Sequence, residues 1–254
     1  MKQPAVFLLL LVAALALRCS HAPVVPPGDP AALWRTVQAG YDRPDVPFVA
    51  EGTAGIESRN ASHSVDFALR WESASRFRID LTGPFGIALA SAALVDTLAW
   101  VSVPLRGTYL AGPLALADSA AAASLNLSLD RIVRAVSGLP PRQDGEFLRA
   151  ERGLKAFDFQ FRNGDTIRTF TVDGRCADIT GYRVRISDSI WAELHYGDFR
   201  VVDGARRPHR VKLSSPTAGM ALDLAFDRIE PAKPFPAGVW RQSVPDGLSP
   251  QRFK

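Results

Sequence analysis

Apolar and polar residues alternate along much of this chain, most clearly in residues 64–81. Successive side chains of a β-strand point to opposite faces of the sheet, so a period of two predicts strands with one buried face. The predicted buried face of this stretch consists of Val65, Phe67, Leu69 and Trp71, followed by Phe77, Ile79 and Leu81. Such segments favour a sheet over a helix bundle.

The same alternation returns repeatedly after residue 145, interrupted by turn residues. Asn163-Gly164-Asp165 and Asp203-Gly204 favour tight hairpins, which join antiparallel neighbours. The predicted strands are 48–57, 97–103, 107–111, 147–150, 156–162, 166–172, 181–187, 190–196, 210–214 and 219–229, besides those on either side of residues 80–90. About a dozen strands, mostly of six to eight residues, predict an antiparallel sheet that is strongly curved or closed into a barrel.

A bend at residues 80–90 separates two of these strands and contains Gly83, Pro84 and Gly86. Glycine frees φ and proline restricts it, so both residues are typical of turns. Phe85 stands at the tip of the bend, between Pro84 and Gly86. Its side chain either projects into solvent or folds back onto the core, and the residues of the bend leave both alternatives open.

Two segments have helical patterns. The first is residues 30–41, where Asp29 is the candidate N-cap and a proline occupies the first turn. The second begins at Ser128, another candidate N-cap, and ends at Gly138. Its apolar side consists of Leu129, Ile132, Val133 and Val136. The alanine-rich residues 115–123 are interpreted as a linker between the first strands and this helix.

The N-terminus has the features of an export signal, because a basic residue precedes a thirteen-residue apolar run that ends just before Cys19. We predict a signal peptide at residues 1–18, a lipidated Cys19 that opens a proline-rich tether at 19–29, and a single domain at 30–254. The residues before Cys19 resemble the lipobox of bacterial lipoprotein precursors, and this resemblance implies that Cys19 is acylated. Arg18 departs from the pattern, in which a small residue precedes the cysteine.

Two alternatives remain for this end of the chain. One is ordinary signal cleavage near Ala22, although a proline follows at once. The other is that an unacylated Cys19 forms a disulfide with Cys176, the second cysteine of the chain, in an oxidising compartment.

No pattern in the sequence predicts an enzyme or a cofactor. The four histidines are isolated, no His or Cys cluster has metal-ligand spacing, and neither a G-x-S-x-G elbow nor a glycine-rich phosphate loop is present. Without residues 1–18 the chain has 28 basic and 26 acidic residues, a balance that argues against nucleic acid as a partner. The densest basic cluster is Arg206, Arg207, Arg210 and Lys212, which is interpreted as a charged edge strand or as a contact for anionic headgroups.

The segment Gly83-Pro84-Phe85-Gly86 between two strands, followed by LNLSLDRIVRAVSGLPP at 125–141, resembles LolB, the outer-membrane receptor for lipoproteins. The later segments FRVVDGARRPHRVKL and ALDLAFDRIEP resemble the closing strands of the wider LolA/LolB carrier superfamily. The resemblance implies a mainly β fold with a few helices (α+β): an antiparallel sheet curved into an unclosed barrel, with helices covering the concave face.

The resemblance also implies a function. Phe85, flanked by Pro84 and Gly86, would contact the outer-membrane surface. The acyl chains of a lipoprotein or another lipid, handed over by a periplasmic LolA-like carrier, would occupy an apolar cavity and be delivered to the outer membrane. The predicted lining of this cavity is Phe67, Leu69, Trp71, Phe77, Ile79, Leu81, Ile87, Leu89, Trp100, Ile132 and Val136. The protein would be anchored by Cys19 at the periplasmic face of the outer membrane.

Two other functions fit the same sequence. The first is an outer-membrane β-barrel, whose strands need about 9 to 11 residues, longer than most predicted here. The second is a lipoprotein scaffold for protein partners at the cell envelope, with the apolar face filled by its own side chains, because a fold does not determine a function.

Overall fold

The computed structural model describes residues 29–41, 46–125, 127–241, 244 and 250–253. The predicted signal peptide and Cys19 lie outside these residues. Thirteen strands form one sheet in the order β6-β5-β4-β3-β2-β1-β13-β12-β11-β10-β9-β8-β7, with every neighbouring pair antiparallel. The sheet therefore runs as two meanders joined where β1 pairs with β13. Its edge strands β6 and β7 do not pair with each other, and the barrel is open, as predicted.

The strands lie close to the predicted positions, but several are longer. Their bounds are β1 (Phe48–Ser58), β2 (Ala61–Ser73), β3 (Arg76–Thr82), β4 (Ala88–Val95), β5 (Leu98–Val103), β6 (Thr108–Pro113), β7 (Glu146–Arg152), β8 (Ala156–Asn163), β9 (Thr166–Asp173), β10 (Ile179–Ile186), β11 (Ser189–Val202), β12 (Ala205–Ser215) and β13 (Met220–Pro231). Most strands have the expected six to eight residues, but β1, β2, β11, β12 and β13 are longer, with 11, 13, 14, 11 and 12 residues. Both predicted tight turns are present, between β8 and β9 and between β11 and β12.

The described residues form three α-helices: α1 (Pro30–Tyr41), α2 (Leu114–Leu125) and α3 (Leu129–Val136). The first begins as predicted, because the Asp29 carboxylate accepts a hydrogen bond from the Ala31 amide at 2.9 Å. The third ends as predicted, because Gly138 adopts a φ of 68° that reverses the chain. Ser128 occupies the N-cap position of α3 without capping through its side chain, and Asp118 accepts the hydrogen bond of the Leu129 amide instead.

The linker interpretation of residues 115–123 is wrong, because these residues lie within α2. Alanine has the highest intrinsic helix propensity, so an alanine-rich segment needs little tertiary contact to become helical. The Ser119 hydroxyl also bonds to the Ala115 carbonyl one turn earlier, at 3.0 Å. This helix connects β6 to α3 and packs against both.

The main core lies between the concave face of the sheet and the helices. From α1, the Trp34 ring contacts Phe159, Phe161 and Phe170 with centroid separations of 4.8, 5.0 and 5.4 Å. From α3, Val133 and Val136 are buried in the same cluster. Both helices therefore cover the concave face, as the resemblance implied.

The basic cluster lies on β12, which is not an edge strand, and its arginines contact other side chains of the protein. β12 lies inside the sheet, between β11 and β13. Arg206 pairs with Asp178 and Arg210 with Asp223, each at 2.8 Å, while the Arg207 guanidinium lies 4.3 Å from the centre of the Phe48 ring. The interpretation as a charged edge strand is therefore wrong.

Candidate functional site

The predicted bend between β3 and β4 is a short 3₁₀ turn at Pro84–Gly86. The Gly83 amide donates to the Ile87 carbonyl at 2.8 Å and the Gly86 amide to the Gly83 carbonyl at 3.3 Å, which closes the base of the loop. Phe85 at its tip is fully exposed. Of the two alternatives for Phe85, the structure has the one in which the ring projects into solvent.

The backbone of Phe85 is strained. Its φ of 62° lies in the left-handed region, which costs a residue other than glycine about 1 to 2 kcal/mol. For a bulky aromatic residue this conformation is a genuine outlier. Strain of this kind concentrates at functional sites, so an exposed apolar ring held by a strained backbone marks this loop as a candidate contact surface.

A second apolar tip lies at the same end of the sheet. The turn between β5 and β6 is another 3₁₀ turn, Pro104–Arg106, and its central residue Leu105 is 71% exposed. In an antiparallel meander, alternate turns share one end, so the β3–β4 and β5–β6 turns project from the same rim. Ile87, also exposed, adds to this surface. We call Phe85, Ile87 and Leu105 the apolar rim.

Leu105 was missed by sequence reasoning. A signal was present, because Pro104-Leu105-Arg106-Gly107 has the same proline-first, glycine-last pattern around an apolar residue as the loop of Phe85. Arg106 is exposed beside it and places a positive charge at the rim.

Most residues of the predicted cavity lining share the concave face of the sheet. Phe67, Leu69, Trp71, Phe77 and Val136 are buried in the main core, and Ile79, Leu81, Leu89 and Ile132 pack against it while partly exposed. Ile87 lies instead on the apolar rim. A pocket of about 290 Å³ lies at the start of α3, but none of the predicted lining residues borders it.

Trp100 does not belong with the others. In the register of the sheet it pairs with Ala93, whereas Leu94 and Ala99 lie on the face of Phe77. Trp100 is therefore on the convex face, in a separate small cluster with Ala93 and Tyr109. Its indole NH donates to the Trp240 carbonyl at 3.0 Å, so the C-terminal segment covers this side of β5.

The partly exposed residues of the concave face form a band next to the rim. Leu81 is the last residue but one of β3, and Leu89 lies near the start of β4. The Leu89 side chain packs closely on Gly83 at the base of the loop, since a Cβ atom added at Gly83 would lie only 3.2 Å from it. The whole band consists of Ile56, Ile79, Leu81, Leu89 and Leu222. Deeper residues such as Trp71 and Phe77 are closed off by packing. An apolar ligand therefore has accessible surface on the rim side of the concave face.

The convex face carries a polar network behind the same strands. Arg78 forks onto Asp80 with contacts of 2.8 to 3.0 Å, and Arg70 reaches the same carboxylate at 2.9 Å. Burial alone would raise the pKa of Asp80, but hydrogen bonds from Arg78 and Ser91 and the charges of both arginines hold it below its ordinary value. Arg78 also donates to the Val239 carbonyl at 2.9 Å, which ties the C-terminal segment to β3.

Known structures share this architecture, although no family model and no curated protein matches the sequence. A LolA superfamily protein from Nitrosomonas europaea superimposes with a TM-score of 0.57 at 12% identity, over 82% of this chain and 97% of its own. The chain has a LolA-like fold. A DUF1329 family protein from Desulfovibrio piger gives 0.58 at 11% identity, over 83% and 95% of the two chains. A domain from Vibrio parahaemolyticus, named for outer membrane lipoprotein sorting, gives 0.58 at 9% identity, over 82% and 94%.

These comparisons show a shared fold and do not single out LolB. None of the helices in the described part of this LolA-like chain is long and apolar enough to cross a membrane. Among the same residues, no group of three or more His, Cys, Asp or Glu side chains is placed to hold a metal ion.

Proposed function

We propose that this protein is an outer-membrane lipoprotein of LolB type, which binds the acyl chains of lipoproteins or lipids and helps to deliver them to the outer membrane. The observation that carries the proposal is the fully exposed Phe85, held in a left-handed backbone conformation at the rim of a LolA-like open barrel. The apolar band of the concave face lies directly behind it. No covalent chemistry, metal, cofactor or nucleic acid takes part in this function.

Acyl binding begins at the band. Each methylene group that leaves water contributes about 0.8 kcal/mol, so a few methylenes in contact with Leu81 and Leu89 give useful affinity. Entry beyond the band displaces packed side chains of the main core, in which Val136 of α3 is buried and against which Ile132 packs while partly exposed. The predicted lining residues of the concave face thus form the path of the chain, with Trp100 excluded.

The apolar rim serves release. Entry of Phe85 into the bilayer contributes about 1.5 to 3 kcal/mol if the ring is fully buried, and Leu105 contributes a similar amount. Free energies of this size bring the mouth of the barrel to the membrane but do not anchor the protein there. The acyl chains on Cys19 provide the anchor. A LolA-like carrier in the periplasm is the expected donor of the acylated client.

A scaffold for protein partners at the cell envelope is the second candidate function. It is favoured by the close packing of Phe67, Leu69, Trp71 and Phe77, which fill the concave face with the protein's own side chains. An empty, stable protein would fit that role.

Mass spectrometry of an organic extract separates the two functions. The chain from Ser20 to Lys254 is exported to a periplasm and purified without detergent. A stoichiometric phospholipid or acylated peptide supports lipid handling and identifies the class of client, whereas an extract without lipid supports the scaffold.

Delivery to the membrane is tested with Phe85→Glu. The variant is expected to fold normally, because the ring makes no buried contact, and to lose transfer of an acylated lipoprotein to phospholipid vesicles. Leu154→Glu is the matched control: Leu154 is also fully exposed, but it lies in the β7–β8 turn at the opposite end of the sheet. Unchanged transfer by Phe85→Glu, or an equal loss with Leu154→Glu, would contradict a role of the rim.

A further inference from the structure

The pocket at the start of α3 has one polar and one aliphatic side. It opens between α3 and strands β9 and β10, and its volume is about 290 Å³. The polar side is formed by Ser128, Arg131, Thr166 and Arg168, and the aliphatic side by Leu127, Val184 and Ile186. The pocket thus combines two guanidinium groups, two hydroxyls and a short apolar wall.

Arg168 is buried to an extent that is rare for arginine. The residue is 8% exposed, and it lies opposite Val184 in the β9–β10 register, on the concave face. Its Nη1 atom is 3.1 Å from an Asp144 oxygen but lacks the geometry of a hydrogen bond, and its Nε atom has no acceptor among the described residues. A buried charged donor without an acceptor is costly, so it marks a place where a ligand can supply one.

The two arginines of the pocket share one carboxylate. Asp144 pairs with Arg131 at 2.7 Å and lies 3.1 Å from Arg168. Within the described residues, neither guanidinium group has a carboxylate of its own as an ion-pair partner.

The buried Tyr182 hydroxyl adds a donor beside the two arginines. It is two residues before Val184 on the same face of β10, and it is buried within reach of the Arg168 guanidinium. Burial raises the pKa of Tyr182, while the charges of Arg131 and Arg168 and a hydrogen bond with Arg168 oppose that rise. The hydroxyl therefore carries its proton at neutral pH, as tyrosine ordinarily does.

The pocket lies at the rim from which Phe85 projects. Thr166 is the first residue of β9 and Ile186 the last of β10, and both strand ends are on the side of the β3–β4 turn in this antiparallel sheet. A ligand that enters at the rim therefore meets Arg168 two residues from the start of β9, with Arg131 of α3 lining the same pocket.

We propose that Arg131 and Arg168 bind a phosphate or carboxylate group, the anionic end of an acyl-bearing ligand whose first methylenes contact Val184 and Ile186. An oxyanion supplies the missing negative charge and the acceptors for the unpaired guanidinium hydrogens, and guanidinium matches the planar or tetrahedral oxygens of such groups. The acyl part of this inference rests on the function proposed above. The anion site rests on the pocket alone.

Calorimetric titration of the full chain tests the site with three probes: dodecyl phosphate, uncharged dodecyl maltoside and inorganic phosphate, with the two detergents below their micellar concentrations. The wild type is expected to bind dodecyl phosphate at least tenfold more tightly than dodecyl maltoside. Arg131→Gln and Arg168→Gln are expected to lose this preference. Arg183→Gln is the control, since Arg183 lies on β10 but faces away and pairs with Glu193 on the surface.

Arg168→Gln buries a new amide and can unfold the protein, so Arg131→Gln and Tyr182→Phe carry the test independently. Arg131→Gln removes one of the two positive charges and leaves the Arg168–Asp144 pair in place, and Tyr182→Phe removes the hydroxyl beside Arg168. Equal affinity for both detergents in the wild type, or an unchanged preference in Arg131→Gln, would overturn the site.

The probes also separate this inference from the proposed function. Binding of inorganic phosphate as tight as that of dodecyl phosphate, with loss in Arg131→Gln, would keep the anion site and reject the acyl-bearing ligand. Lipoprotein transfer by a protein that shows no anion preference would keep the proposed function and reject the site.

Discussion

Phe85 combines two properties that oppose each other in an ordinary loop. Its ring makes no buried contact, so it adds nothing to the packing of the core, while its left-handed backbone costs stability. A glycine at this position would relieve the strain and leave the turn intact, as Gly86 beside it already adopts a φ of 76°. The residue is therefore better suited to a contact outside the molecule than to the fold.

This conflict predicts that Phe85→Gly raises the free energy of unfolding. The gain is expected to be up to about 1 kcal/mol, because relief of the left-handed strain exceeds the extra entropy that glycine gives the unfolded chain. Urea unfolding measures this gain in stability. Phe85→Gly is also expected to bind phospholipid vesicles more weakly. Phe85→Ala is the control, since it loses the same ring and keeps the strain, and equal stability of the two variants would contradict the interpretation.

At the scale of the elements, α1 packs on the concave face of the second meander, and the convex network holds the C-terminal segment on the first meander. Trp34 fastens α1 to the second meander through three phenylalanine rings. On the other side, the Arg78–Asp80 fork and the bond from Trp100 to the Trp240 carbonyl fasten the C-terminal segment to β3 and β5. Each of these contacts can be removed by a single substitution.

Trp34→Ala is expected to destabilise the protein by about 3 to 5 kcal/mol, the usual cost of removing a large buried aromatic side chain. Equilibrium unfolding in urea measures the loss. The matched control is Gln38→Ala, at an exposed position of the same helix, which should change the stability little. A loss below 1 kcal/mol for Trp34→Ala would mean that α1 is not held to the sheet by this ring.

Asp80 predicts a pH dependence of stability. Its pKa is lowered in the folded state, so its stabilising effect is complete above its ordinary value of about 3.9 and is lost as the pH falls through the lower folded value. Asp80→Asn should therefore cost about 1 to 2 kcal/mol at pH 7, allowing for the partial exposure of the arginines, and less below pH 4. Urea titrations at both pH values test this, and a difference from wild type that grows in acid would contradict it.

At the scale of the whole molecule, sequence reasoning succeeded where one residue pattern determines the outcome. Alternation located the strands, because half-buried strands must alternate, and Asp29 with Pro30 located the start of α1. It failed for Trp100, since both faces of β5 are apolar and the face is decided by contact with Trp240, 140 residues away. The pocket of Arg131 and Arg168 could not be predicted from the sequence either, because it lies between a helix and two strands that no local residue pattern connects.

The apolar rim is a property of the whole sheet, because two separate turns contribute to it. Phe85 and Leu105 project from neighbouring hairpins of one continuous sheet, so both can enter a bilayer in a single orientation. At about 1.5 to 3 kcal/mol for each buried side chain, Phe85→Ser or Leu105→Ser should weaken vesicle binding of the unacylated chain roughly ten- to a hundredfold.

The double variant should weaken vesicle binding by the product of the two single effects, because the sheet presents both tips together. Co-sedimentation of the chain from Ser20 to Lys254 with phospholipid vesicles measures all three variants, and Leu154→Ser at the opposite end of the sheet controls for general loss of apolar surface. A double variant no weaker than Phe85→Ser would mean that only one tip reaches the bilayer. The membrane-facing surface would then be a single loop and not the rim of the barrel.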